Sequence, residues 1–134
     1  MRHRVSKKTF NRSTKHRQAM FKNMVRSLVL HGQIKTTQAK AKEIGRIADK
    51  LISTAKKGDL AARRQLHRFF GKRDIVNTLV DRVAPLMKDR QSGFTTIKMI
   101  GKRRGDNSLM VQLSLVEQSD QTGSLSNPEK KESK

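Results

Sequence analysis

The chain has 134 residues, with 31 Lys and Arg against 11 Asp and Glu and a net charge of +20, a length that suits one domain with a modest core rather than two. Self-repulsion of that size opposes a compact state unless an anionic partner shares the charge, so a polyanion is the expected ligand. Cysteine is absent, which excludes disulfides and thiolate metal sites, and no apolar run is long enough to span a membrane.

Residues 1–12, MRHRVSKKTFNR, are cationic and aperiodic, with Val5 and Phe10 as the large apolar anchors. They lack the apolar stretch of a secretory signal and read as mature protein. Alone, such a segment is expected to be disordered. The same sign of charge continues into a helix, however, and this makes it a basic arm that orders on a phosphate backbone. Phe10 would then either staple the helix start or stack on a base.

From Ser13 to Lys42 there is no acidic residue, and Met1 to Lys42 holds twelve Lys or Arg. Met20, Phe21, Met24, Val25, Leu28 and Val29 fall in adjacent pairs four apart, one stripe of a 3.6-residue period. Lys15, Lys22, Asn23 and Arg26 point roughly the other way. Asn11 or Ser13 is the expected N-cap, and Gly32 offers the left-handed residue that ends a helix. Lys15 and Arg17 in the first turn oppose the helix dipole, which a polyanion at that end would relieve.

Gln33 to Thr36 alternates as a short strand, and Thr36 or Thr37 then caps a second helix. Its buried stripe is Ala41, Ile44, Ile47, Ala48, Leu51, Ile52 and Ala55, with Arg46, Lys50, Ser53 and Lys57 facing away and Gly58 as the stop. Asp59 caps a third helix from Leu60 to about Phe70, whose Phe69-Phe70 pair is assigned to the core. Asp74 is expected to cap a fourth helix carrying Ile75, Val76, Leu79, Val80, Val83, Leu86 and Met87, and Pro85 to bend it or end it.

Phe94 to Ile100 and Leu109 to Val116 read as two strands. Between them Gly101 to Ser108 is a glycine-punctuated hairpin loop with Lys102, Arg103 and Arg104 at its tip. From Gln118 the composition turns to Ser, Gln, Thr, Gly, Asn and Pro, and residues 118–134 are expected to be a disordered polar tail. The globular part is therefore expected to be 13–117.

Catalytic patterns are missing from the sequence. There is no G-x-S-x-G elbow, H-E-x-x-H or glycine-rich phosphate loop. His3, His16, His31 and His67 lack metal-site spacing. No enzymatic activity, cofactor, metal or small-molecule substrate is expected. With five aromatics, all Phe, and no RNP-like or GXXG motif, contacts should run mostly to phosphate and sugar and recognise the shape of a folded RNA. A nucleoid-type, non-specific DNA-binding protein is the alternative, but it typically needs dimerisation or a groove-reading element, and neither is visible. A membrane-surface domain would need large aromatics opposite the cations.

Met1-Arg2-His3-Arg4, Asn11-Arg12, His16 to Met24, Leu28-Val29, Ile34 to Thr37 and Lys40 to Glu43 together resemble the bacterial large-subunit ribosomal protein seventeen family. Gly93-Phe94-Thr95 and Arg104 to Asn107 resemble its later signature, so the similarity covers about Met1 to Val116. It implies an α+β fold, three to four helices packed on one face of a small three-stranded antiparallel sheet with an extended basic N-terminal arm. It also implies a non-enzymatic structural role on large-subunit ribosomal RNA, beside neighbouring large-subunit proteins in a bacterial-type cytoplasmic ribosome. Carried over by position, the RNA contacts are Arg2, His3, Arg4, Asn11, Arg12, His16, Arg17, Lys22, Arg26, Lys35, Thr36, Thr37, Lys40 and Lys42. Charge adds Lys7, Lys8 and Lys15 from the arm and helix start, and Lys102, Arg103 and Arg104 from the hairpin.

Overall fold

The computed structural model describes residues 8–116, so Arg2, His3, Arg4, Lys7 and the polar tail lie outside the described residues. Helix α1 (Thr14–His31) leads to strand β1 (Gln33–Thr37), then helices α2 (Gln38–Ala55) and α3 (Leu60–Phe70). A fourth helical rod, α4, covers residues 73–86 and joins an α-helical turn (Arg73–Asn77), a π-helical segment (Thr78–Val83) and a last turn (Ala84–Leu86). Strands β2 (Thr95–Lys102) and β3 (Leu109–Leu115) follow. The result is an α+β fold whose antiparallel sheet has the order β1-β3-β2.

Local chemistry accounts for most element ends. Ser13 is the N-cap of α1 and Asp59 that of α3, where its carboxylate accepts from the Ala62 N–H at 2.9 Å. Gly32 and Gly71 end the same two helices with φ near 71°, a conformation in which a side chain would be strained. Thr37 stands at the N-cap of α2, but its side chain makes no capping bond.

The strand period of two sorts the sheet into faces. Ile34 and Thr36 lie opposite Leu113 and Val111 in register, on the face that the helices cover. Gln33, Lys35, Lys98 and Gln112 take the other face, where Gln112 Nε2 donates to Gln33 Oε1 at 2.6 Å. Leu28, Ile44, Ile52, Leu66, Phe70, Leu79, Met87, Phe94 and Leu113 fill the core, almost wholly shielded from solvent. Each such side chain favours folding by about 1.5–3 kcal/mol over leaving it in water. Phe69 and Phe70 meet edge to face at 5.0 Å, with Phe70 fully buried as expected. Strand β2 is an outer strand whose far half leaves Ile97, Met99 and Ile100 exposed.

The structure departs from several expectations. Asp74 is not a cap: α4 begins at Arg73, and Asp74 sits inside its first turn, where a negative charge still suits the dipole. Pro85 does not end the helix before itself. The widened π segment immediately upstream relaxes the backbone that the proline ring would otherwise crowd, and the last turn runs on to Leu86. The end of the arm is turned rather than extended, with Phe10 and Asn11 at φ of 53° and 50° and the Arg12 N–H donating to the Thr9 carbonyl at 3.2 Å. Of the two roles open to Phe10, packing is the one seen, edge to face on Phe21 at 6.0 Å. Arg26 departs as well, turning into the protein instead of away from it.

Candidate nucleic-acid interface

Gly32 folds β1 back along α1, so that Ser27, Asn23 and Met24 line one groove of about 370 Å³ with Ile34 and Lys35. The N-terminal end of α1 therefore lies toward the end of the sheet that carries Thr37. Sheet register brings the hairpin to the same end, because Met110 pairs with both Thr37 and Gly101, and Lys102 pairs with Leu109. The first turns of α2, with Lys40 and Lys42, start from Thr37. Three stretches far apart in sequence, the start of α1, the β1–α2 junction and the hairpin, thus lie toward one end of the sheet.

Most of the cations there are available. Lys8, Asn11, Lys15, His16, Lys35 and Lys42 are exposed, while Arg17, Lys22, Thr37 and Lys40 are half-buried. Lys15, Lys22, Lys35, Lys40, Lys42 and Arg104 make no ion pair among the described residues. Asn23 and Ser27 join Lys35 in its groove. A search for charge misses both, since neither carries any.

Other candidates are already engaged by the protein. Arg26 does not point to solvent as its helical position implied. Its Nη2 donates to the Phe70 carbonyl at the end of α3, its Nη1 to Asn23 Oδ1 at 3.4 Å, and its buried Nε has no acceptor. Thr36 is only 8 % exposed and belongs to the helix-covered face of the sheet. The Arg12 guanidinium folds back onto the Met20 sulfur.

The hairpin tip is organised by a carboxylate. Asp106 accepts from Arg103 Nε at 3.1 Å and Nη2 at 2.5 Å, and also from the Ser108 hydroxyl at 2.7 Å and amide at 3.3 Å. The Arg103 and Ser108 bonds hold the Asp106 carboxyl well below the usual range. Arg103 is therefore spent on closing the loop, and Lys102 and Arg104 are its free cations. The Arg104-Gly105-Asp106-Asn107 run has a structural reason: Gly105 and Asn107 take positive φ of 103° and 55° around that carboxylate.

No group of three or more potential metal ligands occurs among the described residues, and no helix there is long and apolar enough to cross a membrane. Fold and surface define a small, strongly cationic α+β protein with cations on α1, β1, α2 and the hairpin that are unpaired among the described residues. A family profile described as Ribosomal protein L17 matches residues 20–116, and the chain belongs to that family. It is 46 % identical to the large ribosomal subunit protein bL17 of Desulforapulum autotrophicum over 116 residues, covering 87 % of this chain and 97 % of the relative. The bL17 proteins of Finegoldia magna (48 % identical; 79 % of this chain, 81 % of the relative) and Trichlorobacter lovleyi (45 %; 88 % and 95 %) are similar.

Proposed function

We propose that this chain is a structural constituent of the large ribosomal subunit that binds and stabilises ribosomal RNA, in the cytoplasm. The observation that carries it is that its relatives are named as large-subunit proteins, while Lys15, Lys40, Lys42 and Arg104 stay unpaired on the elements that meet toward the Thr37 end of the sheet and Lys22 and Lys35 stay unpaired alongside on α1 and β1. Cations placed this way neutralise phosphates on RNA strands running in several directions and release their counterions. Arg2, His3, Arg4 and Lys7 extend the surface along the arm, and Lys8, Asn11, His16, Arg17, Thr37 and Lys102 complete it. Arg26 and Thr36 are left out, because the protein uses them itself. Neighbouring large-subunit proteins are the second class of partner, and the exposed Ile97, Met99 and Ile100 give them apolar surface.

Sucrose-gradient sedimentation of a lysate tests the reading. The chain should co-migrate with the large subunit and leave it only at high salt. A chain found solely free, or solely on DNA, would sink the proposal and favour the nucleoid-type alternative.

A further inference from the structure

Helices α3 and α4, which pack on α1 and α2, form a second basic feature built from residues outside the surface just described. Leu60, Arg63, Arg64 and His67 stand at i, i+3, i+4 and i+7 along α3, beside the core stripe of Ala62, Leu66 and Phe70. Across a groove of about 370 Å³ they face Arg73, Val76 and Asn77 of α4. Arg63 spans the two helices, donating to Asp81 Oδ1 at 2.7 Å and Asn77 Oδ1 at 3.2 Å. That bridge fixes the width of the groove and neutralises Asp81.

Arg64 and Arg73 are exposed and make no ion pair among the described residues. Between them the groove is apolar: Val76 is buried, and Leu60 lies 63 % exposed at the rim of a helix whose other large apolar residues are covered or partly covered. The volume is at the small end of the range for ligand pockets, about 300–1,000 Å³, which suits a single nucleotide unit and excludes a duplex. A nucleobase offers a flat apolar face to the exposed Leu60, above the buried Val76 at the groove floor, and its phosphates match guanidinium forks. No Phe lines the groove, so any stacking falls to the arginine planes, as unpaired RNA bases allow.

We infer that the α3–α4 groove holds one unstacked nucleotide of the bound RNA, with its base against Leu60 and its phosphates on Arg64 and Arg73. This rests on the RNA-binding reading and adds to it a site that recognises a single-stranded position rather than duplex shape.

The full-length chain, titrated against isolated large-subunit ribosomal RNA, provides the test. In the Arg64→Ala/Arg73→Ala variant the slope of log affinity against log salt should become shallower by about 1.4, two single-strand phosphate contacts at about 0.7 each. Thermal stability should not change, and the Lys57→Ala/Lys88→Ala variant, which removes two exposed cations elsewhere, should keep the wild-type slope. A photo-crosslinking residue in place of Leu60 should label one unpaired nucleotide in the assembled particle. An unchanged slope in the groove variant while the wild type binds overturns this inference alone, as does a crosslink to protein or to nothing. Failure of the wild type to bind the RNA overturns the reading beneath it as well.

Discussion

Arg26 of α1 donates from its guanidinium to the main-chain carbonyl of Phe70, the last residue of α3 and 44 positions along the chain. A helix leaves its final carbonyls without partners and carries partial negative charge there, so a cation at that point both caps and complements the dipole. The cost is a buried Nε with no acceptor.

Arg26→Ala should therefore destabilise the fold by about 1–3 kcal/mol, the range for losing a charged hydrogen bond to a partly buried carbonyl. Arg26→Lys should recover part of that loss. Urea unfolding of the purified chain gives the comparison, and the salt dependence of RNA binding should not move in either variant. A variant as stable as the wild type, but with a shallower salt slope, would return Arg26 to the interface.

Lys15→Ala with Lys22→Ala should do the reverse. These side chains oppose or ignore the α1 dipole and make no ion pair among the described residues. Stability should stay level or rise slightly, because self-repulsion falls. On duplex RNA the salt slope should drop by about 0.9 for each phosphate that is no longer neutralised. Unfolding of the double variant would contradict the placement of both residues.

Gly45 sits buried in the middle of α2, and a methyl group there would stand 3.2 Å from Thr95 Oγ1 of β2. Glycine inside a helix costs about 0.5–1 kcal/mol relative to alanine, so close approach of helix and strand is what keeps it. In a Thr95→Ala background Gly45→Ala should gain most of that amount, and in the wild-type background clearly less. A thermal-denaturation double-mutant cycle reads the difference. Equal effects in both backgrounds would mean that the contact exerts no constraint.

Two carboxylates should give opposite pH signatures. Burial pushes the Asp49 carboxyl up, partly offset by the Phe94 N–H that donates to it at 3.2 Å, whereas Asp106 is held low. With a raised folded value, the native state takes up its proton first, so the Asp49 contribution weakens as pH rises through that value. With a lowered one, the Asp106 contribution is present above the ordinary carboxylate value of about 4 and is lost as pH falls. Relative to wild type, Asp49→Asn should gain stability between about pH 3 and 7, and Asp106→Asn should lose it. Urea midpoints measured across that range decide both signs.

Apolar periodicity located the four helices and the core positions on them, because a helix of 3.6 residues per turn must put Val25, Leu28 and Val29, or Ile44, Ala48 and Ile52, on one side whatever it packs against. Cap chemistry located Gly32 and Asp59 and narrowed the start of α1 to Asn11 or Ser13, since those bonds are made within a few residues. The charge alone indicated a polyanionic partner. None of these signals extends beyond its own element. A helical position gives a direction from one axis but not the neighbour met there, so the same wheel that exposed Lys15 also exposed Arg26. Only the packing of α3 against α1 turned that arginine inward.

Sheet order had the same dependence. Alternation indicated the strands, but bringing β3 between β1 and β2 set the hairpin tip beside Thr37 and buried Thr36. The groove between Leu60 and Val76 likewise arises where two helices meet. Sequence by itself determined which residues are apolar, which are charged and where the chain turns. Tertiary structure decided which charges remained free, because that depends on distances between groups the chain keeps far apart.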